Sequence, residues 1–536
     1  METDYLKTER TVGDTLECER QQFTVLCEKG RAVSQIALDD DYNLAEYKPD
    51  ITKLIEQKGQ VRIEEIKTEK DLVKLRGTLH FEVLYRTNLL DGGFGSVQGD
   101  IPFQETVHMQ GTQEFDNVRV NTQLEDLSVA MINSRKLEIR ALITLQLQRK
   151  ETCVHALATS IQHADETVQT RMMQVEALEL LEQKKDISRF RTELTLPSNK
   201  PGIQEMLWYS LQPRAIESRI SDGQMEISGE LFVHMVYRGE EEHEQLQCLE
   251  QAVPMQVSMP VDADGQELAW VHVRLAGGEL EKAEDFDGEN RMLRLEAVLE
   301  IEDTLWQERT LTLLEDAYAT NRELRCDCEE VILQKLLIKN DSRFRLQERM
   351  ALETEDSILQ ICSCIGEVQV EDVTPMENSL DIAGILKLRL LYVVANDEMP
   401  MMTVEETFPF RESVEVPGLQ PQLMNFSYEL EAGIDQLTST LLDPGQVECK
   451  AQIRLCVLML EHIKKKNMEK IEAQELDLQQ MRKRPGMVGH IVKKGEKLWD
   501  IAKEHRITME QLMEQNERSK EELLPGEKLL IVNTIG

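Results

Sequence analysis

Three segments of this chain repeat one strand pattern at nearly constant spacing, and that repeat limits the fold more than any other feature. They are LRGTLHFEVLYR at 75–86, ISGELFVHMVYR at 227–238 and IAGILKLRLLYV at 382–393. In each, a glycine precedes a tyrosine by eight residues: Gly77 and Tyr85, Gly229 and Tyr237, Gly384 and Tyr392. The glycine offsets, 229 − 77 = 152 and 384 − 229 = 155, give a unit of about 153 residues. Alternate positions between glycine and tyrosine are apolar: Leu79, Phe81, Val83; Leu231, Val233, Met235; Leu386, Leu388, Leu390. A period of two predicts a β-strand with one buried face. The intervening positions, such as Thr78, His80 and Glu82, are more polar and predict a less buried face.

Two further anchors keep the same period. Strand-like runs KLEIRALITLQL, MLRLEAVLEI and QVECKAQIRLCVL align on Ala141, Ala297 and Ala451, with offsets of 156 and 154. Upstream, KPDI ending at Ile51 and KPGI ending at Ile203 lie 26 residues before the repeat glycine, whereas the third copy has only DSI ending at Ile358. Each unit is therefore expected to be β-rich and, at about 150 residues, able to bury its own core. A length of 536 residues leaves room for three or four such domains.

Charge and cysteine content exclude several classes of function. A net charge of −38 repels nucleic acid and anionic lipid, so neither is an expected partner. The opening residues METDYLKTER contain acids and no apolar stretch, and no run of eighteen apolar residues follows, which predicts a cytoplasmic chain with no membrane insertion. Ten cysteines without a regular framework fit reduced thiols. Cys326/Cys328 and Cys362/Cys364 are spaced i, i+2, which would place each pair on one strand face, and neither has the spacing of a metal site. Phosphate-binding loops, nucleophile elbows, zinc helices and dinucleotide fingerprints are missing. His80 and His234 sit one residue off the buried strand face, where a surface or satisfied histidine is expected. No enzyme activity, cofactor or metal is predicted.

The repeat pattern stops near His462. Residues 462–488 are rich in Lys, Glu and Gln and read as a charged tether, able to be helical in its middle, with Pro485-Gly486 as its stop. Its basic runs, 464–466 and 482–484, read as solvated charge, with binding of an acidic partner or folding back on the chain's own negative surface as the other readings. Beyond it, 490–493 predicts a short strand and Lys494-Gly495 a turn. Leu498, Ile501 and Ala502 recur at helical spacing. Thr508 with Gln511 forms a capping box that opens a second helix, and Pro525-Gly526 turns the chain into a closing strand at 529–532.

This β-α-α-β order, with Gly495, Leu498, Trp499, Ile501, Ala502, Asn516, Pro525 and Gly526 in place, resembles the LysM family. The upstream units resemble SPOCS domains of spore-coat morphogenetic proteins. The expected architecture is multidomain: SPOCS-like units at 1–165, 166–325 and 326–461, a linker at 462–488 and an α+β LysM module at 489–536. The LysM resemblance implies a groove for N-acetylglucosamine-containing glycans formed by Gly495, Glu496, Lys497 and Leu498 on one side and Asn516, Leu523, Leu524 and Pro525 on the other. Where the family commonly has Gly-Asp-Thr this chain has Gly495-Glu496-Lys497, which puts two charged side chains at the groove mouth; Arg506 stands where a glycine is common. The combination resembles coat proteins of the SipL type. That resemblance implies a non-enzymatic adaptor on the mother-cell side of the forespore, docking through LysM on the morphogenetic ATPase called stage IV sporulation protein A. The alternative it leaves open is a peptidoglycan-binding protein of the cortex or cell wall.

Overall fold

The computed structural model describes residues 14–532 apart from 89–92, 241–245, 264, 266, 353–355, 397–399, 444 and 477–485. After a short strand β1 (Asp14–Leu16), the chain forms β2 (Cys18–Asn43), β3 (Ile51–Glu69), β4 (Leu72–Thr87), β5 (Phe94–His108), β6 (Val118–Asn133) and β7 (Lys136–Ile161). The middle three make one antiparallel sheet in the order β3-β4-β5, and the others make a second in the order β2-β7-β6. The same order follows in β8 (Val168–Thr195), β9 (Ile203–Ser221), β10 (Gln224–Gly239), β11 (Leu246–Pro260), β12 (Leu268–Ala283) and β13 (Met292–Ala319). It recurs in β14 (Arg322–Ala351), β15 (Ile358–Met376), β16 (Ser379–Val394), β17 (Met401–Glu415), β18 (Phe426–Asp443) and β19 (Gln446–Glu475). In every unit a short three-stranded meander is packed on a sheet of longer strands, two layers with the apolar core between them, which in the second unit divides into two clusters.

The repeat strand is the centre of each meander. Its alternate residues Leu79, Phe81 and Val83, and their counterparts in β10 and β16, are fully buried. The glycine is required by crowding: a Cβ at Gly77 would lie 2.5 Å from the Phe103 ring and 2.6 Å from the Arg62 carbonyl oxygen. The tyrosine ties two of the anchors together. Tyr85 donates its hydroxyl to the carbonyl of Pro49 (3.4 Å) and Tyr237 to that of Pro201 (3.0 Å), the prolines of the two Lys-Pro motifs.

The opposite face of the repeat strand is also covered in part. Leu84, Val236 and Leu391, spaced by the repeat, meet Phe94, Trp208 and Met401 in one apolar cluster drawn from all three meanders. Ile55, Leu207 and Cys362 join them, and each is the residue skipped in its strand's register against the repeat strand. These are β-bulges, and the extra residue turns its side chain outward from its own unit. The meanders follow one another around this cluster, β5 beside β9, β11 beside β15 and β17 beside β3. At the other end, the long strands outrun their sandwiches as two-stranded ribbons that share a second core of Phe23, Val25, Leu157, Val175, Leu311, Leu313, Val331 and Leu333.

Four expectations are corrected. The bulge at Cys362 sends its sulfur into the central cluster and that of Cys364 into the core of its own unit, so the pair does not share a face. Nor are all thiols free, because Cys248 on β11 and Cys362 on β15 form a disulfide between units. His234 is neither exposed nor satisfied: it is buried with neither ring nitrogen partnered, and burial, with the Arg214 charge adding to it, pulls its pKa down to about 4. The expected tether also begins late. β19 continues through 464–466 to Glu475, its lysines facing an acidic neighbour strand, as in the pair Lys464 Nζ–Glu330 Oε1 (2.9 Å). Arg482, Lys483 and Arg484 and the opening METDYLKTER lie outside the described residues.

Two outcomes follow from this packing. Gly77→Ala should cost about 1–3 kcal/mol through overpacking, seen as a lower urea midpoint, whereas Gly433→Ala, with nothing within 4 Å of the added carbon, should be close to neutral. Peptide mapping without reductant should recover a Cys248–Cys362 cross-link, and reduction should lower the thermal midpoint of the chain.

Candidate docking site in the C-terminal module

The module is built from β20 (Met487–Ile491), α1 (Leu498–His505), α2 (Met509–Gln515) and β21 (Lys528–Val532). The strands pair antiparallel from Met487↔Val532 to Ile491↔Lys528. Gly495 and Gly526 take positive φ, 85° and 87°, and close the two turns at one end of the ribbon. Gly526 N–H donates to the Val492 carbonyl (2.8 Å) and Val492 N–H to Glu527 (2.9 Å), which brings the 493–497 and 523–527 loops to that end. Thr508 caps α2, its hydroxyl accepting from Gln511 N–H at 3.0 Å. Leu498, Ile501, Ala502, Leu512, Leu529 and Ile531 form the module core.

The eight residues expected to form a groove divide by role. Leu498 is buried and Leu523 packs against the core. Asn516 is engaged with β21: its Nδ2 donates to the Leu512 and Leu530 carbonyls (both 2.8 Å), and its Oδ1 accepts from Leu530 N–H (2.6 Å). Glu496 does not stand at the mouth. It folds back to accept from Lys493 N–H (2.8 Å) and to pair with His490 Nε2 (3.0 Å), and these contacts hold its carboxyl below the usual range. Gly495, Lys497, Leu524 and Pro525 remain open to solvent.

One contact of this module was not legible from local pattern, since it joins residues 183 apart. Trp499 on α1 donates its indole N–H to Asp316 Oδ2 on β13 at 2.8 Å and meets the Tyr318 ring edge-on at 4.9 Å. Lys503 Nζ reaches Asp316 Oδ1 at 2.6 Å, Arg171 lies 5.4 Å from the Trp499 ring centre, and Tyr318 donates to the Ile507 carbonyl (2.8 Å). Arg506 holds the left-handed conformation at the end of α1, φ 57°, where glycine is less strained, and its guanidinium lies 3.6 Å from Glu323 on β14. The outer face of α1 is thereby seated on β13 of the second unit, with Arg506 reaching β14 of the third.

No group of three or more metal-ligating side chains occurs among the described residues. A small cleft open to solvent lies where the three units meet, lined by Trp270, Trp306 and Gln334, and its Lys150 is paired with Glu429. No described helix is long and apolar enough to cross a membrane.

Burial alone would raise the Asp316 carboxyl, but hydrogen bonds from Lys503 and Trp499 outweigh it and hold the group below the usual range. A depressed pKa makes the clamp complete above the free Asp value of about 3.9 and progressively lost as pH falls below it. Asp316→Ala should weaken docking by about 1.5–3 kcal/mol, read as greater quenching of Trp499 emission by acrylamide, with Trp499→Phe identifying that signal.

Comparison with known families bears on these units directly. Residues 50–132 and 357–442 match the family described as SipL, SPOCS domain, and 490–532 match the LysM domain. The first stretch covers β3 to β6 and the second β15 to β18, the same four strands of the first and third units. No curated protein and no solved structure matches the chain. SPOCS and LysM are both non-catalytic domain families. The chain thus carries SPOCS domains followed by a C-terminal LysM domain, the domain combination of the SipL type.

Proposed function

We propose that this protein is a non-enzymatic adaptor of spore-coat assembly that docks through its LysM module on the coat morphogenetic ATPase, the stage IV sporulation protein A type, at the mother-cell face of the forespore. The observation that carries the reading is the presence of SPOCS and LysM domains in one chain. On this reading all three six-strand units are SPOCS domains, the middle one included, and they add weak contacts that gain strength by linkage to the docking module. The clamp on α1 supports it, because the open end carrying Lys497, Leu524 and Pro525 is then presented in a fixed direction.

The second reading, a peptidoglycan-binding protein, is favoured by the LysM match and the open groove end. A chain lacking residues 487–536 should fail to reach the forespore; normal encasement by that truncated chain rules out the adaptor reading. Saturable retention on purified peptidoglycan that disappears on replacing Leu523 and Leu524 would select the glycan instead.

A further inference from the structure

The two strands of the LysM sheet have unlike outer edges. On β21, side-chain amides occupy the positions a neighbouring strand would take. Asn516 bonds both the N–H and the carbonyl of Leu530, and Gln515 does the same for Val532 at 2.9 and 3.1 Å. That edge is closed. β20 differs: Val492 faces β21 with both backbone groups, so alternation turns those of Gly489 and Ile491 away from it. Among the described residues they meet no backbone partner on that side, and the sheet ends there at two strands.

The surroundings of this edge specify chemistry. The face turned from the module core exposes Met487, Ile491 and Leu530, at 62%, 60% and 42%. Lys493, Lys494, Lys497 and Lys528 are exposed at its far end. The nearby acids are engaged elsewhere, Glu496 with His490 and Glu527 with Arg518. Residues 487–532 hold eight Lys and Arg against nine Asp and Glu, so nearly all of the chain's −38 lies outside the module. This tip is where an acidic partner meets least repulsion. A second copy fits badly: in-register parallel pairing of two β20 strands sets Lys493 against Lys493 and Lys494 against Lys494.

We propose that β20 is a strand-addition site for an extended segment of a partner protein with alternating acidic and apolar side chains. The partner's backbone pairs with Gly489 and Ile491, its apolar residues cover Met487, Ile491 and Leu530, and its acids reach the lysines, as in recognition by added strands elsewhere. The inference rests on the adaptor reading and names the chemistry of the docking partner.

The test uses the full chain and a fluorescent eight-residue peptide of alternating Glu and Val, with a Lys/Val peptide as control. The Glu/Val peptide should bind and the Lys/Val peptide should not. N-methylating all the Glu residues or all the Val residues removes the donors of one peptide edge, so one set should abolish binding and the other should be tolerated. Lys493→Glu with Lys494→Glu should weaken binding roughly tenfold. Absence of Glu/Val binding, equal binding by both N-methylated peptides, or concentration-dependent dimerisation lost in Gly489→Pro would overturn the proposal. Recruitment of the truncated chain is scored separately, so an adaptor with a different docking face is distinguishable from no adaptor.

Discussion

The architecture depends on three β-bulges aimed at one point. Ile55, Leu207 and Cys362 are each the extra residue of an edge strand, and without that extra residue strict alternation would return the side chain to its own unit's surface or core. Turned outward, they complete the apolar cluster with Leu84, Val236 and Leu391. Polar contacts then differentiate the joints. Lys58 lies over the Trp208 and Tyr209 rings between the first and second units. The second and third are linked by Cys248–Cys362, and the third and first by buried Glu56 with Arg389 at 3.1 Å and Thr403 at 3.1 Å. A shared apolar cluster with three unlike polar joints fixes the order of the units, because no unit can replace another without stranding a buried charge or a thiol.

How much of this could be read from sequence depended on the range of the interaction. The Gly-to-Tyr strand was legible because period-two burial is local, and the α2 cap was legible because Thr508 and Gln511 are three residues apart. The bulges were not, since a skipped residue exists only relative to a partner strand. That is why Cys362 and Cys364 part company despite their spacing. The late end of β19 was hidden by charge: Lys464 and Lys466 are exposed as a solvated run would be, but they lie on a strand whose partner β14 brings Glu330 to Lys464. The turns at Gly495 and Gly526 were legible, but the direction of Glu496 was set by His490, whose approach needs the turn at Gly495.

The clamp on α1 changes how the LysM module should be regarded. A LysM joined by a loose tether would present every face in turn, and its useful surface could be anywhere on it. Here Trp499, Lys503 and Arg506 are already committed to Asp316 and Glu323, so helix α1 is a structural face. The turn end of the ribbon and the sheet edge beside it remain outward, as does the acidic outer face of α2 with Glu510 and Glu514. The charge balance points the same way. A body carrying almost all of a net −38 repels acidic proteins, including its own copies, at separations up to a Debye length of about 8 Å. A nearly neutral module rimmed with lysines on its exposed side is the part of this chain that such a partner can approach, and its fixed seat on the second unit decides from which direction.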